Sequence, residues 1–507
     1  MPRGLITGTP SSHAASQICQ LIPTRTFILL QKRILVPLGG LLLLVLAAVL
    51  LLTAEGLRRY GSVEGVVQRM KAEFAAPAPH DLFVPTPAGS AERGETPSDA
   101  DTVMAAAALA QALAAPTVEP SPAATLVGAD AVSALKARDV RPDSSPTATD
   151  EPSPQAGPVI VESDPKIAPP AATPRPTPSS TPTPRVDPTP RPPTLQLDGL
   201  AHYWQTWNNC GPATLSMNLS YFGIGVGQDK IGGQLRPEKD DKNVTPEELA
   251  AFARSQGLSA TVRVNGDAAR LRALLEAGIP VLVETWYEPE PNDGMGHYRL
   301  IVGYDDAAQE WIAYDSYDSH GIKKDDAYCG IRLSYATFDP LWKVFGRTYL
   351  VITDASRAPA VAEVLGSDAD DEAMWRGSLA RNLAEVKANP GDPFAWFNLG
   401  TDYTALGDFE AAAQAYDTAR HIKLPWRMLW YQFGPFRAYY EVGRLQEVID
   451  LADATIKTAQ HDEELFYWKG LAQWAMGDGE SARASLLAAL ALRPAYAEAA
   501  DALAAIE

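Results

Sequence analysis

The sequence predicts an α+β domain followed by an all-α helical-repeat solenoid, both behind an N-terminal transmembrane helix and a disordered proline-rich linker. Three observations carry this prediction. An uncharged aliphatic run fills residues 34–53, and 25 of the 42 prolines fall between Pro77 and Pro193. Beyond Leu195 aromatic and glycine content rises and strand and helix patterns alternate, until a helical repeat takes over near Glu372. The chain therefore divides into an N-terminal segment (1–33), a span (34–53), a juxtamembrane segment (54–74), a linker (75–195), the α+β domain (196–356), a short linker (357–374) and the repeats (375–507).

The span comes first. About 20 apolar residues rising 1.5 Å each match the roughly 30 Å hydrocarbon core of a bilayer. The run from Ile34 to Thr53 exceeds the ~7–15-residue core of a cleaved signal, and no small-x-small site follows it, so a retained single-pass anchor is expected. Arg25, Lys32 and Arg33 precede it and Arg58, Arg59, Arg69 and Lys71 follow, so positive charge does not decide orientation. The long Pro/Thr linker favours the following domains on the extracytoplasmic side. Such a composition buries too little apolar surface to offset chain entropy, and its Thr-Pro runs favour polyproline II spacing.

A formal charge of −19 argues against a nucleic-acid partner, since a phosphate backbone demands a basic face. Cys19, Cys210 and Cys329 are too few for a disulfide framework. A Cys210–Cys329 disulfide stays open in an oxidising compartment, with Cys19 on the far side of the membrane.

The α+β domain opens on Gln205-Thr-Trp-Asn-Asn-Cys210-Gly-Pro-Ala-Thr214. Proline near a first helical position favours a helix from about Cys210 to Tyr221. A thiol at that helix N-terminus feels the positive end of the macrodipole, which favours thiolate. Gln205 offers a side-chain amide to a developing oxyanion, alongside the Cys210 backbone N–H. Gly296-His297-Tyr298 then heads a buried strand, and Trp311-Ile-Ala-Tyr-Asp315 forms a second one. If the two are antiparallel neighbours, a base and its orienting acid share adjacent strands. His202 and His320 are the other histidines of the domain, Asp318 rivals Asp315, and Cys329 reads as structural.

This order of Gln, Cys-Gly-Pro, Gly-His-Tyr and Asp resembles the bacteriocin double-glycine leader peptidases, a papain-like cysteine peptidase family with stand-alone members. The resemblance covers about 160 residues. It implies Cys210 as nucleophile, His297 as general base and acid, Asp315 as orienter of the imidazole and Gln205 as oxyanion donor. The founding members are fused to an ABC transporter and cut after two glycines. This chain has one span and no Walker motif in the right context, so that substrate is not carried over. No cluster has zinc-ligand spacing, and no cofactor or metal is expected.

The remaining elements fit an α+β body. Thr245-Pro-Glu-Glu248 is a capping box opening a helix that stops at Gly257. Strands are expected near 259–264, 280–286 and 347–353, a helix near 268–277, and a lid or plain connector at 287–295. Farther on, Trp396, Leu399, Gly400, Tyr403, Gly407, Ala412, Tyr416 and Ala419 resemble the 34-residue tetratricopeptide template. Gly470, Gly477, Ala482, Ala489 and Pro494 repeat it, and a divergent unit lies between, with Gly443 at its turn and Pro435 interrupting its first helix. The array either binds a peptide or protein or packs on the preceding domain.

The combined expectation is a membrane-anchored cysteine peptidase acting on a peptide or protein substrate, with repeats that bind protein. A non-catalytic surface scaffold and a cysteine acyl or peptidyl transferase are the alternatives.

Overall fold

A computed structural model describes residues 191–288, 294–320, 322 and 327–506. The expected span and its flanks, the proline-rich linker up to residue 190 and the middle of the 287–295 loop lie outside these residues. Among the described residues no helix is long and apolar enough to cross a membrane.

Seven strands form one antiparallel sheet among the described residues: β1 Thr194–Gln196, β2 Ser259–Arg263, β3 Val281–Tyr287, β4 Met295–Asp305, β5 Glu310–Asp315, β6 Ile331–Ser334 and β7 Tyr349–Thr353. Their order is β2-β7-β3-β4-β5-β6, with β1 paired to the end of β4. The sheet thus starts at Thr194, just before the boundary read from composition. A β-bulge between Ile301 and Gly303 resets the register of β4 against β5. The inserted residue switches the alternation of side chains, so Leu300 and Val302 face one layer while Ile301 and Tyr304 face the other. Gly303 is required beside the bulge, because a Cβ there would lie 2.3 Å from the Leu195 carbonyl oxygen.

Helices cover both faces, which is why β3, β4 and β7 read as continuous apolar runs. On one face lie α1 Cys210–Tyr221, α2 Gln228–Leu235 and α3 Pro246–Ser255, bringing Leu215, Met217, Leu249 and Phe252 against Leu300 and Ile352. The other face holds α4 Ala268–Glu276, α5 Tyr335–Lys343 and α6 Ala358–Leu365. The capping box of α3 is present in full, with Thr245 and Glu248 exchanging side-chain-to-backbone bonds, an arrangement worth about 1 kcal/mol. The stretch 357–374, read as a linker, is helical: Val361 and Leu365 of α6 join the second core layer, and α7 begins at Asp371.

The repeats comprise α7 Asp371–Ala388, α8 Pro393–Leu406, α9 Phe409–His421, α10 Gly434–Glu441, α11 Leu445–Ile456, α12 Glu463–Ala475, α13 Gly479–Leu492 and α14 Ala497–Ile506. Gly400 lets α8 approach α9, since a Cβ would sit 2.7 Å from the Tyr416 ring. The divergent unit differs from expectation in one detail. Pro435 opens α10 in its first turn instead of interrupting it, and a 3₁₀ turn at Trp426–Trp430 takes the place of the missing helical length.

The array packs on the α+β domain. Asp462 accepts from the Lys242 backbone N–H at 3.0 Å, Asn243 Nδ2 donates to Glu464 at 3.0 Å, and Arg427 Nη1 donates to the Gly294 carbonyl at 3.2 Å. At the other end of the contact, Lys343 pairs with Glu385 and Asp392.

Candidate active site

The thiol of Cys210 stands on the first residue of α1, presented by a clamped turn. Asn208 takes a left-handed φ of 54°, which asparagine tolerates better than most residues. Its side-chain amide donates to the Asp241 carbonyl at 3.1 Å. Asn209 donates to Thr206 Oγ1 at 2.7 Å and accepts from Arg236 Nη2 at 2.9 Å. Arg236 is buried and also donates to the carbonyl oxygens of Trp207 and Glu238, tying α2 to the turn. Gly211 allows the helix tip to meet β4, where a Cβ would lie 3.2 Å from the Tyr298 ring.

His297, on β4, lies close enough to the Cys210 thiol for each group to shift the other's protonation. Its Nε2 lies 2.9 Å from Asp315 Oδ1, so Nδ1 is the ring nitrogen not engaged by that carboxylate. Asp315 is fully buried and accepts three further bonds, from Arg299 Nε at 2.8 Å and from the backbone N–H groups of Tyr317 and Asp318 at 2.7 Å each. Burial alone would raise this carboxyl, but His297 and Arg299 outweigh it and hold it far below the carboxylate range. Burial likewise opposes the charged imidazole, yet Asp315 lifts His297 to about 9. For Cys210, desolvation pushes the thiol up, while His297 and the backbone N–H groups of Tyr298 and Gly211 bring it below its ordinary value. Together these shifts favour thiolate beside imidazolium.

Cys210 is a free thiol, not joined to Cys329. Gln205 is fixed at the end of β5: its backbone N–H donates to the Ser316 carbonyl and its Oε1 accepts from Ser316 Oγ at 2.9 Å. With Oε1 anchored, the amide nitrogen is the donor that remains on this side chain. The carboxylate of Asp318 accepts from the His320 backbone, so the Asp315 carboxylate is the one on His297. His202 bonds the Asp315 carbonyl at 2.7 Å and stacks on Tyr328, with ring centroids 3.4 Å apart. Its position is structural.

Four residues escaped the sequence reading. Arg299 and Ser316 anchor the partners of His297 and Gln205. Glu284 of β3 and Tyr431 of the repeats line a small cavity beside Cys210. The strand period places Arg299 on the same face as His297, so a buried arginine two residues from a histidine was a usable signal. Tyr431 had none, because its contact depends on how the repeats dock.

Residues 192–349 match the Peptidase_C39-like family, and residues 463–496 match the tetratricopeptide repeat. A solved C39-like peptidase from Bacillus anthracis aligns at 15% identity and a TM-score of 0.25, covering 32% of this chain and 98% of its own. No curated protein matches the chain. The chain carries a Peptidase_C39-like domain at residues 192–349 and a tetratricopeptide repeat at 463–496.

Proposed function

We propose that the α+β domain is a cysteine peptidase with Cys210 as nucleophile. The observation that carries this reading is the 2.9 Å bond from His297 to the buried Asp315 carboxylate, with the imidazole acting electrostatically on the Cys210 thiol. The thiolate attacks the scissile carbonyl carbon, and its lone pair forms the C–S bond. The oxyanion is held by the Gln205 side-chain amide and the Cys210 backbone N–H. His297 imidazolium protonates the departing amine as the C–N bond breaks, leaving a thioester. Neutral His297 then takes a proton from water, hydroxide attacks the thioester, and the thiolate departs from the carboxylic acid product. Asp315 keeps the imidazole oriented and stabilises its charged form, without itself taking the proton.

In this reading the apolar span 34–53 anchors the enzyme in a membrane, the proline-rich linker spaces it from the surface on the extracytoplasmic side, and the repeats hold a protein substrate or partner. The test is hydrolysis of a peptide library by the full chain and by Cys210→Ala. Wild type should cleave and react with a thiol-directed active-site probe at neutral pH, and the variant should do neither. A wild-type chain that neither cleaves nor labels leaves a scaffold as the remaining reading.

A further inference from the structure

We propose that the seam between the α+β domain and the repeats is a subsite for a basic side chain of the peptide substrate, lysine or arginine, with Glu284 as the residue that selects it. This rests on the peptidase reading above and names the substrate class of the same site.

Two cavities meet at Glu284. The small one beside Cys210 is bounded by Gly296, Tyr298 and Tyr431, and Glu284 forms part of its wall. The second, of about 460 Å³, opens between α3 and β2 on one side and α7 and α8 on the other, and Glu284 lines it as well. Neighbouring residues straddle the boundary: Val244 lines the first and Pro246 the second, as do Tyr431 and Gln432. Glu284 is therefore the wall that the two cavities share. The volume suits one long side chain and its water, at the small end of ligand pockets.

The charge of the seam selects among such side chains. Its cations are already engaged: Arg254 donates to the Ala260 carbonyl at 2.9 Å, and Arg263 pairs with Asp371 at 2.7 Å. Lys242, on the small cavity, lies 5.2 Å over the Trp207 ring and faces Asp240, Asp241 and Asp462. The acids are less well matched. Asp402 is held by Asn382 at 2.6 Å, and Glu247, exposed in the first turn of α3, lines the same cavity. Glu284 is only 4% exposed, and its Oε2 has no hydrogen-bond partner among the described residues. A buried carboxylate without a counter-ion is costly, and the group responds by holding its proton. Burial, with the nearby charges of Glu247 and Cys210, accordingly pushes the Glu284 carboxyl well above its usual range. A guanidinium or ammonium entering the seam supplies the missing partner and gains a charge-assisted bond, whereas a neutral isostere supplies neither charge nor desolvation relief.

The experiment uses fluorescent hexapeptides that each carry one arginine at a different position, and counterparts with uncharged citrulline there. Binding is measured on the full-length Cys210→Ala chain, and hydrolysis on wild type. At one position arginine should bind at least tenfold more tightly than citrulline. Adding Glu284→Gln should bring that ratio to about one, and Glu247→Gln, an exposed change that spares the core, should lower it part of the way. A ratio near one at every position, or a preference that survives both substitutions, overturns the subsite. If the arginine preference in binding is present but wild type hydrolyses nothing, the subsite stands and the peptidase reading fails. Hydrolysis without the preference has the opposite meaning.

Discussion

His297 and Asp315 are joined at 2.9 Å although they are not opposite each other in the sheet. The residue paired with Asp315 across β4 and β5 is Arg299, two positions along β4 from the histidine. Both side chains lie on one face of the strand and reach the same carboxylate, one oxygen each. The acid is thereby locked in rotation, which restrains the imidazole that bonds it through Nε2. An orienting acid with a single partner would lack that lock.

The first prediction concerns pH. Cys210 is lowered and His297 raised to about 9, so the thiolate–imidazolium pair should exist from below the ordinary thiol range up to about pH 9. The pair forms as Cys210 loses its proton and is lost as His297 loses its own, with apparent values that belong to both groups. The kcat/KM profile should therefore fall on its alkaline limb near pH 9. Asp315→Asn removes the carboxylate that sustains the imidazolium, so that limb should move to lower pH while kcat drops by roughly 10²–10⁴-fold. Alkylation of Cys210 measured across pH checks the same pair. A single rise at the ordinary thiol value of ~8.5 would count against it.

Arg299 gives a second prediction, on stability. Arg299→Leu leaves Asp315 buried with one cation fewer and takes a 2.6 Å bond from Thr285 Oγ1. Removing one member of a buried pair costs about 3–5 kcal/mol. Arg299→Lys should recover little, because one ammonium cannot reproduce the planar fork that serves Asp315 and Thr285 together. Urea unfolding of both variants tests this, and a loss well under 1 kcal/mol in Arg299→Leu would show that the pair carries no such weight.

Much of this site was legible in the sequence because its determinants are local. A Cys-Gly-Pro at a helix start, a Gly-His at a strand start and an acid at a strand end announce their own geometry, and the short 305–308 turn makes the two strands neighbours. The helix of the capping box and the glycines at 400, 407 and 470 were readable for the same reason. What could not be read depends on distant segments. Ser316 meets Gln205 across 111 positions, and Arg427 meets Gly294 across 133. The helix α2 was missed because Gly232 and Gly233 weaken its pattern, yet Gly232 is needed where a Cβ would lie 2.7 Å from Asn209 Oδ1. Pro340 inside α5 similarly masked a helix that Ser334 caps.

A third prediction separates Gln205 from its support. Loss of one oxyanion donor typically lowers kcat by ~10²–10³-fold. Gln205→Ala should show that loss with KM nearly constant, since the interaction belongs to the transition state. Ser316→Ala leaves the amide present but less well oriented, and should cost less than Gln205→Ala. Equal losses in kcat and in substrate affinity for Gln205→Ala would instead assign the residue to ground-state binding.

The docking of the repeats carries the last prediction. Asp462 accepts from the Lys242 backbone N–H, and the neighbouring Asp241 accepts from the Asn243 N–H through Oδ1. Burial raises Asp462 to about 7 and, with the charges of Asp462, Glu463 and Glu464, pushes Asp241 well above its usual range. From the repeats, Glu463 and Glu464 face the same contact, with Arg493 paired to Glu463 at 3.0 Å; Lys242 and Glu248 face it from the α+β domain. Acids raised in the folded state bind more protons there than in the unfolded chain, so stability falls as pH rises between about 4 and 7. Asp315 has the opposite sense, but its contribution is lost only below the unfolded value of ~3.9, and His202, which burial holds below its ordinary value, opposes the decline only up to its unfolded value of ~6.5. Between pH 5 and 7, denaturation midpoints should therefore decline with rising pH. Asp462→Asn keeps an acceptor for the Lys242 N–H and cannot ionise, so it should flatten that decline, although Asp402, raised to about 7 in the repeats, retains part of it. An unchanged slope in Asp462→Asn would exclude this carboxyl cluster as its source.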